Sequence, residues 1–583
     1  MASQASTSAH RRHATRGEPT IAAHGPSHPT AAPGWLSEHR RLLIGIIVGV
    51  VVVGVMVMLW PAVAAPLNAD QRYMYLNASG RVQGNWLDII GIPWSEIDYR
   101  ARQGRVTPVG YIIQWLFYTF IAEFAVATGT PIVVLHGLQK LFLFAVMVAC
   151  VALFAKSLRG RDRTGRLVGL SSSTIWIVVA ATAVLGAAGM QAHLQFRNGW
   201  LTYPVLTYGA VIVGFGVPTL ALWLTRRMGE RPTRWRTTVV VVAMLVTGIL
   251  LNVSYELYYA AFPATILALL LEPAPRGNAR KPARLATLTA GMVLTGSFIT
   301  CFLAIRRWTA GKCADECYAG VDAQLGAHTL ETSWYNLASS LPLSGRSELL
   351  ADISQFGFER LPGPFSSPLT LVCVIAVVGL MGVRILAGPM ASRQSSRLDE
   401  DAVAPHRPGQ GGAAARGAAM ALVLGLGSAV IMSVSAQAPE IILGVGYPYR
   451  HIVVTWISLC VAGVLCLIAI DAVRPLVGIG SWAVVTVAAI LVVGTILPAN
   501  LVATRAEHLG VRSQVVDAIH REVVLGDRTP QGDERRCATL ALLHEYDVPL
   551  GTQRRISTSA FGAYEYFQGA PYCTDPATHP GAS

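Results

Sequence analysis

Asn68-Ala69-Asp70-Gln71-Arg72-Tyr73 follows directly on the first long apolar run of the chain. A carboxylate at a membrane interface, set ahead of an aromatic segment, has the chemistry of a general base that takes the proton of an acceptor hydroxyl. The competing reading is that Asp70 only caps the next helix. Asp98-Tyr99-Arg100-Ala101-Arg102-Gln103-Gly104-Arg105 then brings three arginines close together. Guanidinium grips phosphate at two points, so an anionic lipid phosphate suits Arg102 and Arg105; snorkelling to headgroups is the plainer account. In Gln195-Phe196-Arg197-Asn198-Gly199-Trp200, the mix of ring, amide and guanidinium at Arg197, Asn198 and Trp200 suits a sugar-contacting surface, although an aromatic belt explains Trp200 equally well. Glu256, between Tyr255 and Leu257, is costly near membrane depth unless it is functional or paired, so it is either a second acid/base or the partner of an arginine. In Tyr447-Pro448-Tyr449-Arg450-His451, Arg450 and His451 could hold a phosphate arriving from the bilayer, with Tyr447, like Tyr255, as a ring for a sugar.

These residues need a scaffold, and composition names it. Of 583 residues, 53% are hydrophobic and 14% charged, with a mean hydropathy of +0.47. Soluble domains carry about 25% charged residues, so this is an α-helical polytopic membrane protein and a soluble enzyme is excluded. The net charge of +13 does not call for nucleic acid. Lys and Arg accumulate in cytoplasmic loops, and an alternation of about 11 spans puts 19 of the 46 basic residues into four such loops. The spans are expected near 42–65, 131–155, 168–190, 204–225, 238–255, 257–271, 285–305, 367–387, 417–436, 450–470 and 481–500, with the N-terminus in and the C-terminus out. The apolar stretch Val109 to Thr128, which holds Gln114, Tyr118 and Glu123, is assigned to a juxtamembrane or re-entrant helix. A full crossing there would put Lys156, Arg159, Arg161, Arg163 and Arg166 outside.

The domain layout follows. Residues 1–41 are a polar, disordered cytoplasmic tail and 42–500 the membrane domain. Within the latter, 66–130 form the first external loop, 306–366 a second external loop, and 389–416 a Ser, Gly, Ala and Pro-rich flexible cytoplasmic linker. Residues 501–583 form a small external domain of one or two helices and some strand. The cysteines fit this layout: Cys150, Cys301, Cys373, Cys460 and Cys466 fall within spans, whereas Cys313, Cys317, Cys537 and Cys573 fall outside, where an oxidising compartment favours the pairs Cys313 with Cys317 and Cys537 with Cys573. Forty-two arginines against four lysines hint at a GC-rich bacterial genome.

An acid after the first span, the Thr107-Pro108 to Thr128 helix before Pro131 and the soluble tail after residue 500 resemble the GT-C superfamily of polytopic glycosyltransferases. The likeness is architectural: Asp70 has no acidic neighbour, and Arg105-Val106-Thr107-Pro108 stands where some members carry a His-Pro-Pro-like motif. The resemblance implies a plasma-membrane enzyme that moves a sugar from a polyprenyl-phosphate donor to a glycan or lipid acceptor on the extracytoplasmic face, with inversion. Asp70 would then be the base; Arg450, His451, Arg102 and Arg105 would hold the donor phosphate; Glu256 would orient the acceptor or help bind a divalent cation if one is used. Two alternatives stand beside it. One is a transporter or flippase of an envelope lipid, with His136, Gln139 and Lys140 as a polar interior; the other is an O-antigen-type polymerase or ligase.

Overall fold

The structure is a computed structural model that describes residues 40–68, 70–191, 200–230, 233–276, 280–313, 325–344, 350, 354, 357–387, 407–434, 451–545 and 550–574. Helix α1 (Arg40–Ala64) is uncharged from Leu42 onward. Four helices follow before the chain turns back: α2 (Gln71–Val82), α3 (Asp88–Ser95), α4 (Ile97–Arg102) and α5 (Pro108–Thr128). Pro108 opens α5 at a position whose N–H needs no helical partner, and Gly129 closes it in the left-handed region at φ 68°. Helix α6 (Ile132–Ser157) leads into a hairpin of β1 (Arg159–Arg161) and β2 (Leu167–Gly169), antiparallel with Arg159 opposite Gly169. Ser171 caps α7 (Ser172–Ala188) by accepting from the Thr174 N–H.

Next come α8 (Pro204–Glu230), α9 (Arg234–Ser254), a 3-10 turn over Glu256–Ala260, α10 (Ala261–Leu271), α11 (Arg280–Ala310) and α12 (Ala327–Ser339). The chain continues through α13 (Leu369–Ala387), α14 (Arg407–Ser433), α15 (Ile452–Val473) and α16 (Pro475–Leu509). It finishes with α17 (Val511–Leu525), α18 (Pro530–Glu545) and α19 (Leu550–Gln568).

Among the described residues nine helices are long and apolar enough to cross a membrane: α1, α5, α6, α8, α9, α11, α14, α15 and α16. The shorter apolar helices 172–188, 256–271 and 369–382 join them, and the eleven expected spans coincide with all of these except α5. The largest core cluster runs from Val51 and Met58 of α1 through α6, α7, α8 and α13 to α14, α15 and α16. Another joins α8 to α11 through Leu224, Met244, Leu269 and Ala290. A further one unites Tyr75 of α2 and Tyr118, Ile121 and Ala122 of α5 with Ile519, Leu540 and Tyr564 of the last three helices.

Several boundaries differ from expectation. The last long helix does not stop at 500 but runs unbroken to Leu509, since Ala-Thr-Arg-Ala-Glu-His-Leu continues to favour helix. The tail holds three helices and, among the described residues, no strand. The Gly- and Ala-rich end of the expected 389–416 linker is already helical from Arg407, and residues 388–406 lie outside the described set, as do residues 1–39 of the expected tail. Cys537 and Cys573 form the expected disulfide, and Cys313 is disulfide-bonded; Cys317 lies outside the described residues. The five cysteines assigned to spans are free thiols.

Candidate functional site

The segment that carries Asp70 is held at its root. The last carbonyls of a helix are short of partners, and at the end of α1 three distant side chains reach them, the Pro61 carbonyl also accepting from the Ala65 N–H. Thr504 Oγ1 donates to the Pro61 carbonyl at 3.1 Å, Lys140 Nζ to Ala62 at 2.7 Å and His508 Nε2 to Ala64 at 2.7 Å. Lys140, 2% exposed, is therefore a helix cap. Its neighbours are likewise engaged: the Tyr75 hydroxyl meets His136 Nδ1 at 2.5 Å and Gln139 Oε1 at 3.4 Å.

Asp70 occupies the N-cap position of α2, but its side chain caps nothing. It accepts a hydrogen bond from the Tyr203 hydroxyl instead. Tyr73 lies beside it; burial, followed by the charge of Asp70, pushes the phenol up to about 12, so it stays protonated at neutral pH. Arg555 Nη1 donates to the same phenol oxygen at 3.1 Å, and its guanidinium stands 5.7 Å from the ring centre. Asp70 thus faces neutral hydroxyls rather than a guanidinium clamp.

These groups line a cavity of about 770 Å³. Its walls come from α2, the α4–α5 region, the starts of α8 and of the 3-10 turn, and α19, which contributes Arg554, Arg555, Thr558 and Ser559. Two glycines permit this closure. A Cβ on Gly80 would lie 2.9 Å from the backbone of Gly562 and Ala563, so α2 and α19 touch main chain to main chain; one on Gly110 would lie 1.8 Å from the Ser254 carbonyl, which locks α5 onto the end of α9. On the opposite side of α2, His520 Nε2 donates to the Arg72 carbonyl at 2.7 Å.

Five arginines line the cavity against one carboxylate, Asp70. Glu96, nearby, bridges Arg81 at 2.7 Å and Arg100 at 3.3 Å, while those guanidiniums stand over Trp115 and Tyr111 at 5.1 and 4.7 Å. Arg105 is bound at two points by Glu256, at 2.8 and 3.0 Å. Burial works against the Arg105 charge, but Glu256, Tyr111 and Tyr255 together outweigh it and hold the pKa well above the ordinary value. Glu256 is thus the partner of an arginine, the second of its two expected roles. Arg554 has no carboxylate within ion-pair distance among the described residues. The cavity keeps a net positive charge.

Other expected site residues go elsewhere. Tyr255 lines the cavity, 3% exposed, with Arg105 5.7 Å from its ring centre. Arg102 points away, largely exposed, and pairs with Asp98 at 3.3 Å. Trp200, 1% exposed, packs edge-on against Tyr208 in the core, where no sugar could stack on it. His451 is fully buried, with Nε2 donating to the Asn336 carbonyl at 3.0 Å. Arg197, Asn198, Tyr447 and Arg450 lie outside the described residues. Among the described residues, no three His, Cys, Asp or Glu side chains are grouped to hold a metal ion.

Sequence reasoning missed Arg81, Arg554 and Arg555, and took Tyr203 only as an aromatic neighbour of the Trp200 segment. Arg554 and Arg555 had a usable signal: in α19 they precede Ser559, Ala560, Gly562 and Ala563, small residues spaced for close packing on another helix.

Fold and site together define a polytopic α-helical membrane protein with an arginine-rich, single-carboxylate cavity at one end of its helices. No family model, no curated protein and no solved structure matches the chain.

Proposed function

We propose that the chain is a GT-C-type membrane glycosyltransferase that moves a sugar, with inversion, from a polyprenyl-phosphate donor to a glycan or lipid acceptor of the cell envelope. The observation that carries this reading is Asp70, oriented by Tyr203 inside a cavity walled by arginines from α2, the α4–α5 region and α19. In the reaction Asp70 takes the proton of the acceptor hydroxyl. The freed oxygen attacks the anomeric carbon as the bond from that carbon to the phosphate oxygen breaks, and the polyprenyl phosphate leaves with the electron pair. Arg100, Arg554 and Arg555 face that developing charge, the larger contribution to catalysis in such sites. Arg105 is tied by Glu256 and shapes the wall beside Tyr255.

On this reading the cavity opens on the extracytoplasmic side of the plasma membrane and α5 lies along that face; its packing with α2 and the last three helices supports the placement. The engagement of His136, Gln139 and Lys140 as hydrogen-bond partners and helix cap weighs against a transport path through them. The test is a transfer assay with the purified full chain, a lipid-linked sugar and envelope acceptors, paired with glycan analysis of a deletion strain. Asp70→Asn should lower transfer by about 10²- to 10⁴-fold. A folded Asp70→Asn protein with full transfer activity removes Asp70 as the base. Lipid movement across a liposome bilayer without sugar transfer would establish the flippase alternative, and transfer of whole repeat units the polymerase or ligase.

A further inference from the structure

A second cavity, about 1380 Å³, lies where the C-terminal ends of α8 and α10 meet the start of α11. Helix α8 begins beside the Asp70 cavity, at Leu206, and ends at this one, at Arg226 and Glu230; its 27 residues span about 40 Å, enough to cross a bilayer. The two cavities therefore belong to opposite membrane faces.

The second cavity has two unlike walls. One is cationic: Arg159 and Arg161 of the hairpin, Arg226 of α8, and Arg276, Arg280 and Arg284 leading into α11. Part of that charge is already spent, since Glu272 holds Arg226 at 2.7 and 2.9 Å, while Arg161 and Arg276 donate to the Ala274 and Thr164 carbonyls. Arg280 and Arg284 are exposed and, among the described residues, have no carboxylate within ion-pair distance. Burial, followed by the nearby charge of Arg226, lowers the pKa of Arg159, while Glu272 and Glu230, which also line the cavity, act the other way. The first turns of α11 also add their own positive dipole end to Arg280, Lys281 and Arg284, an arrangement that repels itself without an anion.

The other wall is apolar. Leu288 and Met292 of α11 and Leu270 of α10 are 57%, 66% and 70% exposed, and a Cβ on Gly296 would meet nothing within 4 Å. From Arg284 to Gly296 the helix rises about 18 Å, close to the length of a membrane acyl chain.

We infer that this cavity binds an anionic phospholipid of the inner leaflet, its phosphate among Arg159, Arg280 and Arg284 and an acyl chain along Leu288, Met292 and Gly296. Basic pockets between membrane helices hold such headgroups by charge, and the groove supplies the contact that a free phosphate cannot use. The site stands independently of the glycosyltransferase reading.

The experiment is native mass spectrometry of the full-length protein released from nanodiscs of phosphatidylglycerol, cardiolipin or phosphatidylcholine, with inorganic phosphate as competitor. Anionic lipid should remain bound and phosphatidylcholine should not. The exposed pair Arg280→Gln and Arg284→Gln should weaken retention about fivefold each. Adding Leu288→Gln should weaken it further, and Asp70→Asn should leave it unchanged. Equal retention of phosphatidylcholine, no loss in the double variant, or displacement by millimolar phosphate would each overturn the assignment. Because the two substituted arginines are exposed, a melting curve matching the parent shows that lost retention is not lost folding.

Discussion

The two cavities share their dominant residue and differ in what becomes of their carboxylates. At one end of α8 and α9, Asp70 is met by the tyrosine hydroxyls of residues 203 and 73; at the other, Glu272 is engaged at two points by Arg226. A carboxylate held by neutral donors is oriented without a counter-ion locked onto it. One clamped at two points by a guanidinium has become part of the wall. The same contrast appears within the first cavity, where Glu256 serves Arg105 and leaves the chemistry to Asp70. Arginine enrichment alone therefore does not distinguish a reaction site from a binding site; the environment of the nearby acid does.

The sharpest way to break this distinction is the crossed substitution. Asp70→Asn should cost about three orders of magnitude in transfer and nothing in lipid retention, and an equal loss of both would mean that the cavities are not separate. Next in size is the tail. The Cys537–Cys573 bridge closes 36 residues, and Cys573→Ser should destabilise the three-helix tail by about 3–4 kcal/mol, read as earlier melting and loss of transfer with the second cavity intact.

Smaller, and aimed at the carboxylates themselves, is the pair Glu256→Gln and Glu272→Gln. Each leaves a partly buried guanidinium without its partner and should cost roughly 2 kcal/mol in thermal unfolding. Glu272→Gln should cost somewhat more, since its pair is 13% and 11% exposed against 19% and 21%. Only Glu256→Gln should alter transfer. The last effect, of similar size, is on pH. Burial pushes His520 down to about 4 from 6.5, so the native tail refuses a proton that the unfolded chain accepts. Stability is fully present above about pH 6.5 and declines as pH falls toward 4. Melting curves from pH 7.5 to 4.5 should show this decline, and His520→Gln should flatten it.

Asp70, Arg105, Glu256 and Tyr255 were legible in the sequence because the cost of placing a charge beside apolar runs marks such residues wherever they fold. The spans were legible for the same reason: hydropathy is local. Trp200 and His451 were misleading because ring and imidazole types are equally at home in a core, and only tertiary burial decides. Arg554 and Arg555 come to the site through helix packing across 482 positions between Arg555 and Tyr73, which no window of residues reveals. The basic loops were legible as clusters of arginine between apolar runs. That Arg159, Arg226 and Arg284, drawn from separate loops, also ring a single cavity was not.

The wall made by α19 also sets an order of events in biosynthesis. Asp70 emerges early from the ribosome, but its cavity has no Arg554 or Arg555 until the final helix has been made and laid against Gly80. The Cys537–Cys573 disulfide then fastens the tail, and oxidising conditions favour it. A chain stalled in synthesis thus carries the acid without its counter-wall, and competence for the proposed reaction arrives together with completion of the tail.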